Sequence, residues 1–188
     1  MDEQLLEDKL TEQKGSMKDS ISYLEQELIK IRTGKASPAM LNGIEVDYYG
    51  SQTPLSQVAN VGTSDSRTLT IKPWEKSMLG PIEQAIFAAN LGLTPMNDGE
   101  TVRISIPPLT EERRKDLAKL VRKEGEDAKV SIRSARQKAM DAIKKEVKNG
   151  YPEDAGKRKE EQVDGWTKGH INQVDDIVKS KEEEVMTI

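Results

Sequence analysis

The feature that most constrains this chain is a hydrophobic repeat of threes and fours that marks three long segments and is absent between the first and the second. In the N-terminal segment Leu10, Met17, Ile21, Leu24, Leu28 and Ile31 follow one another at steps of seven, four, three, four and three. That spacing keeps one side of a helix against its neighbours in a bundle. The helix is predicted to end near Thr33-Gly34, where glycine supplies the freedom of a helix terminus and Ser37-Pro38 prevents continuation. The repeat resumes after Pro107-Pro108. Thr110 followed by Glu111-Glu112 predicts a helix start, because the hydroxyl can cap it and the acids complement the positive end of its dipole. Leu117, Val121, Ala128, Ile132, Ala135, Ala139 and Ala142 then step by fours and threes with one position skipped, until Asn149-Gly150 ends the run. Pro152 before Glu153-Asp154 opens a third helix, whose seam is read as Val163, Trp166, His170, Val174 and Ile177. Gly156, Gly165 and Gly169 each weaken it by up to about 1 kcal/mol where solvent-exposed, so its first half is the weakest stretch of the pattern.

Between Ala36 and Ser105 prolines and glycines recur, and short β-prone pieces such as Ile44–Tyr48 and Thr68–Ile71 appear. Met78 to Asn90 spaces Ile82, Ile86 and Ala89 as one amphipathic helix closed by Leu91-Gly92-Leu93. Thr101 to Ile106, with Val102, Ile104 and Ile106 alternating, reads as the strand leading back out. The expected fold is therefore α+β: an elongated antiparallel three-helix bundle, residues 1–32 plus 107–188, with a small β-rich domain carrying one short helix, residues 33–106, inserted between its first and second helices. Two short connections join the domains, Arg32-Thr33-Gly34 and Ser105-Ile106-Pro107-Pro108, and a double joint of this kind predicts a restricted hinge.

Composition agrees with long helices that each bury one stripe, since 33% of residues are charged and 4% aromatic. With no cysteine and His170 as the single histidine, thiol chemistry, disulfides and a zinc site are excluded, and no metal or cofactor is expected. Asp175-Asp176 could in principle hold magnesium, but neighbours on a helix point about 100° apart. No catalytic constellation stands out, and the chain is not expected to be an enzyme. Charges recur through the first thirty residues, which argues against a signal peptide. The apolar-leaning run Ala85 to Asn97 is broken by Gly92 and Pro95, far short of the ~20 residues that span a bilayer. A cytoplasmic monomer without membrane attachment is expected. His170, Trp74 after a strand end and Trp166 on the seam are read as packing residues.

The second long helix carries the pattern that points to a partner. Set on a wheel, Lys119, Arg122, Lys129, Arg133 and Arg136 all fall within about 60° of Lys115, whereas the apolar positions cluster about 180° to 260° away. Between Arg113 and Lys138 there are ten bases against four acids, a local charge of +6 in a chain whose total is −4. A solvated helix face normally interleaves its signs, and here Glu126 is the one acid inside the stripe. An anionic partner accounts for the segregation, and phosphates suit guanidinium groups best. The scarcity of aromatics disfavours stacking on single strands and favours docking on folded RNA.

Four runs then carry a family resemblance: Arg32-Thr33-Gly34-Lys35-Ala36-Ser37-Pro38, Asp65-Ser66-Arg67-Thr68-Leu69, Leu91-Gly92-Leu93-Thr94-Pro95 and Pro107-Pro108-Leu109-Thr110-Glu111-Glu112-Arg113-Arg114-Lys115-Asp116-Leu117. In order and separation they resemble the signature runs of bacterial ribosome recycling factors along the whole chain. The resemblance implies a factor that enters the vacated tRNA sites after termination and, with elongation factor G and that partner's GTP hydrolysis, separates the ribosomal subunits. It also implies contact between the long domain and large-subunit rRNA through Arg113, Arg122, Lys129, Arg133 and Arg136, with Lys115 and Lys119 completing the stripe. Lys129 stands where the family commonly has arginine, keeping the charge without the planar fork. The competing reading, a structural coiled-coil or chaperone-like protein, shares the heptads but does not need a one-sided basic stripe.

Overall fold

The computed structural model describes residues 3–187. Over these residues the fold is α+β, with four α-helices, α1 (Glu3–Ile29), α2 (Leu79–Ala88), α3 (Glu111–Lys148) and α4 (Glu153–Met186), and six strands that all lie between α1 and α3. The chain divides into two compact units, one made of the segment ending at Thr33 plus the chain from Glu111, the other of Gly34–Thr110.

In the first unit α1, α3 and α4 form the bundle. Leu10, Met17, Ile21, Leu24, Leu28 and Ile31 are all buried, as are Leu117, Val121, Ala128, Ile132, Ala135 and Ala139 from α3. Leu6 and Leu10 of α1 pack with Ala139, Met140 and Ile143 of α3 and with Val163 of α4, so the start of α1 meets the end of α3. Farther along, the Ser20 and Ser131 hydroxyls share a hydrogen bond of 2.8 Å, which fixes α1 and α3 as antiparallel. Ion pairing of Glu7 with Lys159 and the Lys14 ammonium 4.9 Å from the Trp166 ring centroid set α1 parallel to α4.

Three details depart from the sequence reading. α1 stops at Ile29 rather than near Thr33-Gly34, because the turn after Leu28 tightens and the Ile31 N–H donates to the Leu28 carbonyl at 3.1 Å, an i to i−3 bond that ends the α-helix. The α4 seam runs through Val163, Thr167 and Val174, while Trp166, His170 and Ile177 are half-buried. Thr167 fits there because its hydroxyl donates to the Val163 carbonyl at 2.9 Å and so buries no unmet polar group. The position skipped in the α3 repeat is filled by Gly125. A Cβ there would lie 2.4 Å from a Val178 methyl, and one on Gly156 would lie 2.7 Å from a Val147 methyl. Those two glycines let the backbones of α3 and α4 approach closely, whereas Gly165 and Gly169 face open space and α4 runs through them unbroken.

The second unit has a four-stranded antiparallel sheet in the order β3 (Ala59–Asp65), β4 (Thr68–Pro73), β6 (Val102–Ser105), β5 (Pro95–Asn97), and a separate hairpin of β1 (Glu45–Tyr48) and β2 (Ser51–Pro54). Leu69 pairs with Ile104 and Ile71 with Val102, so the apolar set of the two central strands faces one core. Ile82 and Ile86 of α2 and Val46 of β1 close that core. Ala89 lies beyond α2 and is exposed. Trp74 is also exposed, at 68%, contrary to the packing role read from sequence. The period of two explains it: Leu69, Ile71 and Pro73 point inward, so the next residue points out.

Candidate nucleic-acid interface

α3 is 38 residues long, a helix of about 57 Å at the usual rise per residue. Its acids Glu111 and Glu112 occupy the first turn and Lys145 and Lys148 the last, each complementing the dipole at its end. One face is taken by the bundle seam. Of the seven bases read as RNA-facing, six on the opposite stripe and Arg113 from the family resemblance, Arg113, Lys115, Lys119, Arg122 and Arg133 are exposed, and Lys129 and Arg136 are half-buried.

The bundle splits this stripe in two. Arg122, Lys129 and Arg136, spaced by sevens, face α4 and meet its acids: Arg122 Nε lies 2.7 Å from Glu182, Lys129 Nζ 2.5 Å from Asp175 and Arg136 Nε 2.8 Å from Asp164. The wheel alone placed all of them away from the bundle. It could not register that α4, contributed from elsewhere in the chain, borders one edge of the stripe with carboxylates. Lys129 is the most enclosed, its side chain 17% exposed, with Glu126 at 3.5 Å as a second partner. The hydrogen bond to Asp175 holds its ammonium above the ordinary lysine value. The opposite edge is open. Lys115 makes a long pair with Glu111 at 3.6 Å, and Lys119 and Arg133 have no ion-pair partner among the described residues. These last two, with Lys115, are the bases best placed to meet an external anion.

Sequence reasoning passed over Arg114, whose role is different. It is 8% exposed, and its Nη1 donates to the carbonyls of Val185 and Thr187, both at 2.8 Å. A guanidinium there meets carbonyls that the end of α4 leaves without helical partners, and its charge suits the negative end of that helix. The signal was present, since Arg114 falls at about 260° on the same wheel, inside the apolar sector.

The residues read as a hinge also separate. Ser105 pairs with Thr68 in the sheet, and Ile106 is buried in the small unit's core with its N–H donated to the Arg67 carbonyl at 2.7 Å. Both therefore belong to the body of the small unit, and the return connection shortens to Pro107, Pro108 and the residues up to Thr110. On the outgoing side Gly34 has φ +79°, and a Cβ on it would sit 3.2 Å from the Leu109 side chain. Arg32 and Thr33 precede it, Thr33 buried and Arg32 exposed.

Among the described residues there is no cluster of acids and histidine able to hold a metal, and no helix long and apolar enough to cross a membrane. His170 Nδ1 donates to the Trp166 carbonyl at 2.6 Å within its own helix.

The family model for ribosome recycling factor matches residues 24–186. The chain belongs to this family. A ribosome recycling factor of Flavobacterium johnsoniae is 53% identical over 173 residues, covering 92% of each chain, and one of Myxococcus xanthus is 51% identical over 182 residues, covering 96% of this chain and 98% of the relative. The solution structure of a ribosome recycling factor superposes with a TM-score of 0.80 at 34% identity, covering 97% of this chain and 98% of that one. A T. thermophilus ribosome recycling factor, described with E. coli elongation factor G bound to the E. coli post-termination complex, gives a TM-score of 0.64 at 41% identity, covering 97% and 99%. Ribosome recycling factors are translation factors, and the bundle with its inserted β domain is the architecture this chain shares with them.

Proposed function

We propose that this ribosome recycling factor binds the post-termination ribosome through the basic face of α3 and, together with elongation factor G and GTP, drives the subunits apart. The observation that carries the binding half is the +6 concentrated between Arg113 and Lys138 in a chain of −4, on a helix whose other side is committed to the bundle. Large-subunit rRNA is the partner such a face suits, because outward-facing bases on a rigid helix can match phosphates fixed by RNA tertiary structure. The description of the T. thermophilus relative, bound with elongation factor G to a post-termination complex, supports the choice of partner. In this reading the chain supplies binding and mechanical coupling, the partner's GTP hydrolysis drives the step, and the factor works as a cytoplasmic monomer without a cofactor.

The deciding experiment is sedimentation of post-termination ribosomes with this protein, elongation factor G and GTP, each omitted in turn. Free subunits are expected only when all three are present. Splitting that is indifferent to this protein would overturn the reading.

A further inference from the structure

We infer that Asp164 and Glu182 of α4 are positioning residues for the basic face, which make it select folded RNA over polyanions in general. The inference rests on the RNA-binding reading above and deepens it. A face shaped for phosphate affinity alone would not carry carboxylates against its bases, since each negative charge beside a guanidinium weakens attraction for every polyanion. Yet Arg122 and Arg136 each have one.

The geometry shows what the acids supply. In both pairs the contact is from Nε to a single carboxylate oxygen, Arg122 to Glu182 at 2.7 Å and Arg136 to Asp164 at 2.8 Å. The terminal Nη edge takes no part in either contact. With Nε engaged, that edge remains to grip a phosphate with two parallel hydrogen bonds. Both side chains stay reachable, 62% exposed for Arg122 and 39% for Arg136. An unpaired arginine on a helix surface samples many rotamers and loses that freedom on binding, whereas a guanidinium held through Nε is already oriented. The two lie two heptads apart on α3, a fixed separation of about 21 Å. Held in this way, they meet an RNA whose phosphates stand at that separation and gain little from a chain that could have wrapped itself around mobile bases.

Lys129, midway between them, marks the contrast. Its ammonium has no fork and is enclosed by Asp175 and Glu126, so it ties α3 to α4.

The test measures affinity for isolated large ribosomal subunits and for single-stranded poly(U) at several salt concentrations, and reads the ratio of the two. For the double variant Asp164→Asn with Glu182→Gln, binding to poly(U) is expected to tighten by about fivefold as two acids are neutralised. Affinity for subunits should rise far less, so that selectivity drops by about threefold or more. Arg122→Lys with Arg136→Lys keeps the charge and removes the fork. It should lower the ratio as well while leaving poly(U) binding nearly unchanged. Asp175→Asn removes an acid where no guanidinium is oriented, and should move both affinities by the same factor. An unchanged or higher ratio in both double variants shows that the acids only screen charge, and overturns the proposal. The underlying RNA reading fails by a different sign: Arg133→Glu, in an otherwise unaltered chain, would then leave subunit binding intact.

Discussion

Arg133 and Ala135 stand two residues apart on α3 and face opposite environments, one exposed and without an ion-pair partner among the described residues, the other buried. Reversing the charge with Arg133→Glu should weaken large-subunit binding by more than about tenfold at moderate salt, with the thermal melt unchanged, because a solvated site tolerates the exchange while phosphate does not. Ala135→Glu should do the reverse, costing roughly 2–4 kcal/mol of stability, since it places a carboxylate in the bundle seam without a partner. Arg114 behaves as neither. Arg114→Ala leaves the carbonyls of Val185 and Thr187 without its Nη1, and should lower stability by about 1–3 kcal/mol with early amide exchange confined to the last turn of α4. A melt and exchange pattern identical to the parent protein would show that water replaces the guanidinium at no cost.

At the scale of helices, the α3–α4 pair is held by close approach as much as by apolar area. Gly125→Ala and Gly156→Ala force a methyl to within 2.4 Å and 2.7 Å of Val178 and Val147 side chains, whose β-branched rotamers have little room to move. Each substitution should destabilise the bundle by about 1–3 kcal/mol through overpacking, despite alanine's better helix propensity. Gly165→Ala and Gly169→Ala meet nothing within 4 Å, and should stabilise by about 0.5–1 kcal/mol each. Denaturant titration of the four variants separates these signs; stabilisation by all four would mean that propensity rather than interhelical distance governs these positions of α3 and α4. The ion-pair rungs from Arg122, Lys129 and Arg136 fit the same pairing, stepping by sevens down α3 as their partners Glu182, Asp175 and Asp164 climb α4.

For the whole molecule, the proposal is that the small unit, Gly34–Thr110, acts as a lever pushed by elongation factor G while the bundle stays anchored to rRNA. Its two connections are short, Gly34 adopts a φ that other residues resist, and Pro107-Pro108 limits the return path to extended conformations. An engineered disulfide across the joint should leave ribosome affinity nearly intact and reduce subunit splitting severely, with recovery on reduction. Normal splitting by the locked protein would mean that the factor acts as a rigid wedge.

How much of this was legible beforehand follows from the range of the forces involved. The three long helices, α2, the central strands β4 and β6 and the basic stripe were all readable, because hydrophobic period and charge segregation are local properties of a segment. β2, β3 and β5 were not singled out. They are short or polar edge strands fixed by pairing with partners, as in Val61 opposite Ile71 and Met96 opposite Arg103, with little alternation of their own. The family was readable from four spaced runs of residues. What only the tertiary structure decided was which bases remain open: α4 places Asp164, Asp175 and Glu182 against one edge of the stripe and leaves Lys119 and Arg133 on the other. It also decided that Arg114 holds the end of α4 and that Gly125 is a contact point rather than a gap. Each of those outcomes depends on a residue of the other helix, at least 28 positions away, where helical periodicity carries no information and only packing brings the groups together.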